Sequence, residues 1–545
     1  MAGEFDYIII GAGASGCVLA ARLTELASNR VLLLEAGGKN SDWRFRVPGA
    51  AGLAGLLKSA NWGWKTEAEP GLDGRSISLS QGRGIGGSSS INGLMYVRGH
   101  SNVYDRWASE GCEGWAFKDV LPYFKRSERN SRGESRLHGG SGEMGVRPSR
   151  NSLPICTLFL EAAAEAGFPI VDDLNSDMSE GFGYYDMNVD KGVRASASST
   201  FLKAAEHRSN LTIWTSTLVN RVIIEDGAAV GVEIVREGRT QVVRAGREVI
   251  VCAGAVESPR ILLASGIGDR DHLTDVGIET LHHSPDVGRN LQNHPFYALS
   301  YLCKQPVTGQ ILANPVRAVR EGITYLMTKD GLLAESILPV GGFFALNEGQ
   351  DFPDVQVMLM PALLLQAGMG REITVMSLLR QPHGFLVAVN IGSPASRGSV
   401  SLRSADPRDP AKVKLNIYED PSDIERMLQV VRKTRKIMQQ SSIAAVIEHE
   451  ISPGADADDD VLLERRLRSE GATMYHQCGT CRMGGDGASV VDTRLRVRGI
   501  SQLRVADASI IPIIPNGNVH AAAIMIGERA ADFISGRNHA EASRL

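Results

Sequence analysis

Near its start the chain reads Phe5-Asp6-Tyr7-Ile8-Ile9-Ile10-Gly11-Ala12-Gly13-Ala14-Ser15-Gly16, a short apolar run followed by a glycine-rich turn. The run is largely apolar and β-branched, which is typical of a buried parallel strand. The three glycines have the G-x-G-x-x-G spacing, and the residues from Val18 to Leu23 continue as a helix. Strand, turn and helix in this order predict the first unit of a Rossmann-like α/β domain.

A second apolar run, Val31–Leu34, ends on Glu35. Glu35 lies close to the ~20 positions after the last glycine at which an acidic residue meets a ribose hydroxyl. Gly11 permits the tight turn, Gly13 lets backbone N–H groups approach a pyrophosphate, and Gly16 lets the helix pack on the strand. The sequence therefore predicts a dinucleotide site, with a glycine-rich turn of another α/β protein as the alternative. It does not distinguish NAD from FAD.

The composition limits the classes of partner. With 545 residues the chain is longer than one typical domain, and its net charge of −4 argues against nucleic acid or an anionic membrane as main partner. Its seven scattered cysteines favour a reducing compartment over a disulfide framework. We find no signal peptide and no apolar stretch of the ~20 residues that span a bilayer. We therefore expect a cytoplasmic protein without a transmembrane segment, while peripheral membrane association stays open.

Two longer segments carry a family resemblance. Residues 82–99 read GRGIGGSSSINGLMYVRG, and residues 254–268 read GAVESPRILLASGIG. They closely resemble the two signatures of the glucose–methanol–choline (GMC) family of FAD oxidoreductases. Further family-like segments follow in order and extend the resemblance nearly end to end: residues 287–295, 392–398, 479–484, 503–509 and 515–520.

The resemblance implies a fold class and a domain arrangement. It implies an α/β fold in which a Rossmann-like FAD-binding domain is interleaved with an α+β substrate domain on a mostly antiparallel sheet. The FAD-binding domain would comprise residues 1–155, 196–297 and 462–545. The substrate domain would comprise residues 156–195 and 298–461.

The resemblance also implies FAD as the cofactor, and no metal. Members that attach FAD covalently through a histidine do so at the position of Asn92, so we expect non-covalent FAD here. Asn293 stands where Asp is more common, which affects one local hydrogen bond. The implied cofactor-binding residues are Gly11, Gly13, Ala14, Ser15, Gly16, Glu35, Ala36, Trp64, Arg83, Gly84, Gly87, Ser88, Asn92, Gly93, Leu94, Met95, Val219, Ala253, Asp507, Ala508 and Ala522.

Two late histidines are the candidate catalytic residues. Oxidation of an alcohol needs a hydride to leave carbon and a proton to leave oxygen; FAD accepts the hydride, and a general base must accept the proton. The resemblance places His476 at the family's principal catalytic histidine, and His520 where members carry His or Asn. We expect His476 to be the base and His520 to contact the substrate oxygen, although these roles are exchangeable. The other histidines, including His294, are expected to be packing or surface residues.

These features predict FAD-dependent oxidation of a primary alcohol to the aldehyde, with O₂, a quinone or another carrier as electron acceptor. A cyanohydrin lyase of the same fold and a catalytically silent FAD-binding protein are the alternatives. The substrate stays open. The methionine-rich stretch 355–365, with Met369, Met376 and Leu378, favours buried core over a pocket for an uncharged, partly hydrophobic or aromatic alcohol.

Three local patterns predict structure away from the histidines. Residues 384–402 alternate like a hairpin with a Gly/Ser/Pro/Arg turn. Residues 456–471 read as one helix, with acidic residues first, basic residues later and Gly471 as the stop. Cys478 and Cys481 form a C-x-x-C without a second pair, which favours a structural role over a redox disulfide or a zinc site.

Overall fold

Two seven-stranded sheets organise the protein in the computed structural model, which describes residues 5–176, 180–347, 349–363 and 381–537. The first sheet contains the glycine-rich opening of the chain, and the second is antiparallel throughout its main path. Their strands alternate along the sequence, so neither sheet is built from one continuous stretch of chain.

The first sheet has a parallel core. Phe5–Ile10 lies in the middle, and its residues are buried except for the partly exposed Asp6. Ile10 pairs with Leu34 on one side and with Val251 on the other. The parallel strands, in spatial order, are Leu211–Trp214, Val31–Leu34, Phe5–Ile10, Arg239–Val251 and Leu503–Val505.

One long strand belongs to two arrangements. The first half of Arg239–Val251 pairs antiparallel with Ala228–Arg236, which pairs in turn with Thr217–Glu225. Its second half, from Ala245, runs parallel to Phe5–Ile10. The chain therefore passes from an antiparallel meander into the parallel core without a break.

The second sheet separates two environments. Its strands, in spatial order, are Ile447–Ser452, Pro295–Cys303, Gly384–Ile391, Val355–Met360, Val340–Phe344 and Gly181–Tyr184, and Ala472–Thr473 also pairs with Pro295–Cys303. Alternate side chains on one face, such as Leu299, Val357 and Val387, enter a core shared with two helices, Pro154–Glu165 and Pro421–Met438. The opposite face is directed towards the late histidines.

The remaining longer helices pack around these sheets. They are Ala14–Leu23, Ser101–Ser109, Phe117–Ser127, Gly254–Ala264, Arg270–Asp275, Pro315–Thr328, Asp460–Glu470 and His520–Ser535. Short helices are Ala51–Gly55, Lys203–Ala205 and Ser441–Ala444. No helix among the described residues is long and apolar enough to cross a bilayer.

The predicted fold class is confirmed: a Rossmann-like sheet stands beside a mostly antiparallel one, and their strands are interleaved in sequence. The strand and helix predicted from residues 5–23 and the strand Val31–Leu34 are also confirmed. The exact domain boundaries stay a prediction. All seven cysteines are buried and unpaired, so Cys478 and Cys481 do not form a disulfide.

Two local predictions were wrong. Residues 384–402 do not form a hairpin, because both edges of strand Gly384–Ile391 are already occupied by Pro295–Cys303 and Val355–Met360. Ser399–Ser401 pairs instead with Lys412–Lys414. The helix predicted over 456–471 begins at Asp460, since the Asp459 carboxylate accepts from the Leu462 N–H (2.9 Å) and caps the first turn.

The methionine-rich stretch is divided by the pleat of its strand. Val355, Val357 and Leu359 enter the large core, whereas Met358 belongs to a separate small cluster with Met95, Tyr185 and Phe343. Leu364, Leu365, Met369, Met376 and Leu378 lie outside the described residues.

Candidate active site

The predicted cofactor residues gather at one edge of the parallel sheet. Gly11 and Glu35 directly follow strands Phe5–Ile10 and Val31–Leu34, while Ala253 and Asp507 come two residues after Val251 and Val505. The carboxyl ends of parallel strands share one edge, which is where open α/β sheets bind ligands. Four predicted positions that are up to five hundred residues apart in sequence are therefore brought together.

The glycine-rich turn leaves its backbone accessible. A Cβ on Gly11 (φ +101°) would lie 2.5 Å from the Cys252 carbonyl oxygen, and one on Gly16 would lie 1.9 Å from the Gly11 oxygen. A Cβ on Gly13 would meet nothing closer than 3.8 Å. Gly13 directly precedes helix Ala14–Leu23, and no side chain caps that helix. The first-turn N–H groups are thus available to an anionic ligand.

The Glu35 carboxylate ties three loops together. It accepts from the backbone N–H groups of Ala12 (2.9 Å), Gly37 (2.8 Å) and Gly84 (2.8 Å). A Cβ on Gly87 would stand 2.8 Å from the Gly13 Cα, so the loop of residues 82–92 lies directly against the glycine-rich turn. The proposed contact of Glu35 with a ribose stays a prediction.

Asp507 closes the other end of this edge. Its carboxylate accepts from the N–H of Gly254 (2.7 Å), the hydroxyl of Ser258 (2.5 Å) and the N–H of Ser509 (2.7 Å). Ala508 accepts from the Gly479 N–H (3.1 Å). These contacts fix the segment that leads from the last parallel strand to the late histidines.

The helix of residues 520–535 packs beside the glycine-rich helix. The Ser15 hydroxyl donates to the Ala523 carbonyl (2.7 Å), and Ala522 is fully buried in the first turn. The N-terminus of helix His520–Ser535 therefore stands beside the N-terminal part of helix Ala14–Leu23.

Other predicted cofactor residues lie around this edge. Arg83 donates to the Ala36 carbonyl (3.4 Å) and covers the ring of Trp62, on which Trp64 stacks with centroids 5.2 Å apart. Ser88 is exposed, and its hydroxyl accepts from Gly82. Val219 is buried in strand Thr217–Glu225, where its carbonyl accepts from Arg260 (3.0 Å). Cofactor contacts at these positions stay predictions.

Asn92 stands where the chain turns towards the second sheet. Its side-chain oxygen accepts from Arg194 (2.7 Å) and from the Leu94 N–H (3.1 Å). Leu94 has φ +70°, and Gly93 accepts from the Ser336 hydroxyl (2.7 Å). This geometry directs Met95 into the small apolar cluster with Met358.

His476 lies in a buried hydrogen-bond network. Its Nδ1 is 2.8 Å from Nδ1 of His294, and its Nε2 is 3.1 Å from the side-chain nitrogen of Asn518. Its backbone N–H donates to the Asn293 side chain (2.8 Å), so the uncommon Asn at that position still supplies an acceptor. Burial, and in second place His294, hold the pKa of His476 well below its usual range.

The partners of the two histidines determine where their protons lie. Burial lowers the pKa of His294 to about 4, so its ring is neutral and carries one N–H. Its Nε2 faces the Gly392 carbonyl (3.2 Å), which only accepts; His294 Nδ1 therefore accepts from His476 Nδ1–H. Nε2 of His476 is then left with its lone pair.

The orientation of Asn518 agrees with this assignment. The Gln356 amide donates to the Asn518 oxygen (3.2 Å), and Asn390 donates to the Gln356 oxygen (3.1 Å). The Asn518 NH₂ group therefore faces His476 and donates to Nε2. Gln356 and Asn390 of the antiparallel sheet thus orient Asn518, which contacts the His476 ring on one side. His294 contacts that ring on the other side.

His520 has a separate set of neighbours. Its Nδ1 is 3.1 Å from the Asn188 side-chain oxygen, and its buried Nε2 has no hydrogen-bond partner. Burial, and in second place the Arg194 charge, lower the pKa of His520 to about 4. Asn518, two residues earlier, is the link between the neighbourhoods of His520 and His476.

Four residues of this network were missed by sequence reasoning: His294, Asn518, Asn188 and Arg194. His294 lies in the family-like segment 287–295 and Asn518 in segment 515–520, so their positions were marked but not their roles. Asn188 and Arg194 carry no pattern that distinguishes them in the sequence.

Comparison with known proteins identifies the family. Residues 5–296 and 394–527 match the two family profiles described as GMC oxidoreductase. The chain is 38% identical to mitochondrial choline dehydrogenase of Homo sapiens, covering 98% of this chain and 90% of that protein. It is 40% identical to an oxygen-dependent choline dehydrogenase of Rhizobium etli, covering 98% and 96%.

Solved structures agree with this assignment. Pyridoxine 4-oxidase from Mesorbium loti superposes with a TM-score of 0.88 at 29% identity, covering 98% of this chain and 100% of that one. A formate oxidase variant from Aspergillus oryzae superposes with a TM-score of 0.91 at 27% identity, covering 98% and 99%. The chain belongs to the GMC oxidoreductase family, which binds FAD, and its choline dehydrogenase relatives indicate an oxidoreductase that acts on alcohols.

The residues present fit FAD. The open space before Gly13, the uncapped helix start and the close approach of Gly87 suit a pyrophosphate. The unpartnered buried N–H groups of Asn188 and Arg194 lie beyond it, beside Asn92, where a polar ring would supply acceptors. Nε2 of the neutral His520 would instead accept, because Nδ1–H of that ring donates to Asn188. FAD therefore matches both the shape and the hydrogen-bonding character of this edge.

Proposed function

We propose that the protein oxidises a primary alcohol to the aldehyde, with the hydroxyl replacing the Asn518 amide as the partner of Nε2 of His476 and giving its proton to that lone pair. When bound, FAD supplies the hydride acceptor. The observation that carries the proposal is the hydrogen-bond chain from the Gly392 carbonyl through His294 to His476, which favours a lone pair on Nε2. A positioned base of this kind accelerates proton abstraction by about 10²–10⁴.

His520 would contact the substrate oxygen beside the base. Its low pKa keeps the ring neutral at pH 7, and its Nε2 is buried without a protein partner. A neutral ring near a departing proton does not repel the protonated His476. We assign the role of base to His476 because its ring has two hydrogen-bond partners, His294 and Asn518, which fix its orientation. The His520 ring has one, Asn188.

The substrate is proposed to be uncharged and partly hydrophobic or aromatic. Directly paired residues of an antiparallel sheet share a face, so the side chains that lie on the same face as Gln356 can be identified. Apart from glycines, on these central strands they are Phe296, Ala298, Ser300, Leu302, Phe343, Met358, Met360, Leu386, Ala388 and Asn390. All are uncharged.

This composition favours a neutral alcohol over choline, although several relatives are choline dehydrogenases. A quaternary ammonium group that leaves water needs a carboxylate or an aromatic cage. The described face offers two phenylalanines, Phe296 and Phe343, on strands Pro295–Cys303 and Val340–Phe344, and no carboxylate. Apolar and amide groups match an alcohol with an apolar body.

An anaerobic stopped-flow experiment tests both parts of the proposal. The holoenzyme is mixed with benzylic, furanic and aliphatic alcohols, and with choline and its neutral isostere 3,3-dimethyl-1-butanol, while flavin absorbance is followed. We expect bleaching by primary alcohols and faster reduction by the isostere than by choline. Faster reduction by choline would contradict the substrate class alone.

A flavin that stays oxidised with every alcohol contradicts oxidation itself and points to a lyase or a silent protein. Reoxidation of the reduced enzyme by O₂, compared with reoxidation by a quinone or an artificial dye, identifies the acceptor. FAD released into the supernatant by acid precipitation supports non-covalent binding at Asn92; FAD retained in the pellet would contradict it.

A further inference from the structure

Arg194 is a buried arginine without a carboxylate partner. It ends strand Val193–Arg194 and is 2% exposed. Its Nη1 donates to the Ser89 carbonyl (3.2 Å) and to the Asn92 side-chain oxygen (2.7 Å). Its Nε and Nη2 are buried and have no hydrogen-bond partner.

The other buried arginines of the described residues have compensating groups. Arg98 pairs with Glu128, Arg260 with Glu257, and Arg504 with Glu248. Arg529 lies over the ring of Trp115 at 4.1 Å from its centroid. An isolated charge in the protein interior is strongly destabilising, so Arg194 is the one whose position requires a partner beyond the protein.

The surroundings of Arg194 indicate what that partner is. On one side it contacts the loop of residues 82–92, which lies against the glycine-rich turn at Gly13. On the other side its charge acts on His520. Two more unpartnered buried nitrogens, Nδ2 of Asn188 and Nε2 of His520, belong to the same neighbourhood. Arg194 and Asn188 supply unpartnered N–H donors here, and no acidic side chain of the described residues contacts either side chain.

We propose that Arg194 is the electrostatic partner of the flavin: its guanidinium charge stabilises the reduced cofactor, and its bond to Asn92 positions the loop that holds it. This inference rests on the proposed function, in which the alcohol loses a hydride from carbon and a proton from oxygen. When bound, FAD would receive the hydride with its two electrons and His476 would receive the proton, so reduction would add one negative charge to the cofactor. A fixed cation nearby favours that change.

The test uses two measurements that need no substrate: the two-electron midpoint potential and the dissociation constant of the flavin–sulfite adduct. Both report how well the site tolerates negative charge on the flavin. They are compared in holoenzymes of wild type, Arg194→Met, Arg194→Gln and Arg194→Lys. Arg529→Met is the matched control, because it also removes a buried arginine with unpartnered N–H groups, one compensated by aromatic rings.

We expect the sulfite dissociation constant to rise at least tenfold in Arg194→Met and Arg194→Gln. The midpoint potential should also fall, by about 30 mV for each tenfold loss in the equilibrium constant of two-electron flavin reduction. Arg194→Lys should keep most of the potential, and Arg529→Met should equal wild type. Gln retains a donor for Asn92, so it reports on the charge if the Met variant fails to fold.

Wild-type values in both charge-removing variants, or in whichever of them folds with FAD, would overturn the inference. An equal shift in Arg529→Met would also overturn it, because the effect would then belong to buried charge in general. Failure of the proposed function is distinguishable: alcohols would not reduce the wild-type flavin, while the difference in sulfite binding between wild type and Arg194→Gln would remain.

Discussion

Two groups of buried and half-buried histidines in this protein have opposite electrostatics. His294, His476 and His520 have amide, carbonyl and imidazole neighbours, and burial lowers the pKa of each. His138 lies between Glu128 (3.0 Å) and Asp173 (2.9 Å). Burial alone would lower the pKa of His138 too, but its hydrogen bonds to Asp173 and Glu128 raise it to about 9.

Carboxylate partners, rather than burial, therefore decide the charge of a histidine in this protein. Arg98 also contacts Glu128 and His138, so the His138 cluster (Arg98, Glu128, His138 and Asp173) is a buried ion network. The three active-site imidazoles have no carboxylate partner among the described residues and stay neutral. A neutral imidazole accepts a proton, whereas a permanently protonated one only holds structure.

The largest effect is expected at His476. His476→Ala removes the proton acceptor and should lower the rate constant of flavin reduction by about 10²–10⁴. Stopped-flow reduction of the FAD-loaded variant checks this. A loss smaller than tenfold with FAD content unchanged would assign the base to another group.

His294→Leu should slow flavin reduction by about 10–100-fold. It leaves the buried Nδ1–H of His476 without an acceptor, which costs about 1–3 kcal/mol. His294→Gln is the matched control, since its amide oxygen accepts the same hydrogen bond and should restore much of the rate. Equal rates in the Leu and Gln variants would show that the tautomer of His476 does not depend on residue 294.

His520→Asn should change the rate constant of flavin reduction by less than about tenfold. Its amide keeps a polar group near the substrate oxygen, and His476 remains the base. The measurement is the same stopped-flow reduction, with the dissociation constant of the alcohol extracted from its concentration dependence. A loss as large as that of His476→Ala would exchange the roles of the two histidines.

His138→Gln should leave flavin reduction unchanged but alter how stability depends on pH. The folded pKa of His138, about 9, exceeds its ordinary 6.5, so its contribution is complete below pH 6.5 and is lost as pH rises through 9. Urea unfolding of wild type should therefore show a decline over this window that the variant lacks.

For the active-site histidines we expect the free energy of unfolding to depend on pH in the opposite direction. Their folded pKa values lie below 6.5, so the stability they allow is present above pH 6.5 and is lost as pH falls towards about 4. The same urea series, extended to acid, separates the two groups. If the free energy of unfolding of His138→Gln fell between pH 6.5 and 9 by as much as that of wild type, the His138 cluster would not be the cause of the alkaline decline.

Local sequence patterns predicted the parts of the fold whose structure is local. Phe5–Ile10, helix Ala14–Leu23 and Val31–Leu34 follow from apolar periodicity and glycine spacing. The hairpin at 384–402 failed because alternation predicts a strand but not its neighbours, and both edges of this strand were taken by segments far away in sequence.

In the candidate site, too, residues in recognisable segments were predicted, whereas contacts between distant segments were not. The resemblance indicated His476, His520 and the glycine-rich loops, whose chemistry is carried by recognisable segments. The contact of His476 with His294 joins residues 182 positions apart, and nothing local specifies it. Arg194 is invisible to sequence reasoning because its significance lies in the carboxylate that is missing from its surroundings, which only packing reveals.

The position of strand Leu503–Val505 has a consequence for biosynthesis. This strand is the last to join the parallel sheet, beside Val249–Val251, and Asp507 and His520 follow it. A ribosome that has not yet translated Leu503 has thus produced a nascent chain without one wall of its nucleotide cleft. Until translation has passed His520, we expect quality-control factors to encounter a nascent chain whose flavin site is not yet assembled.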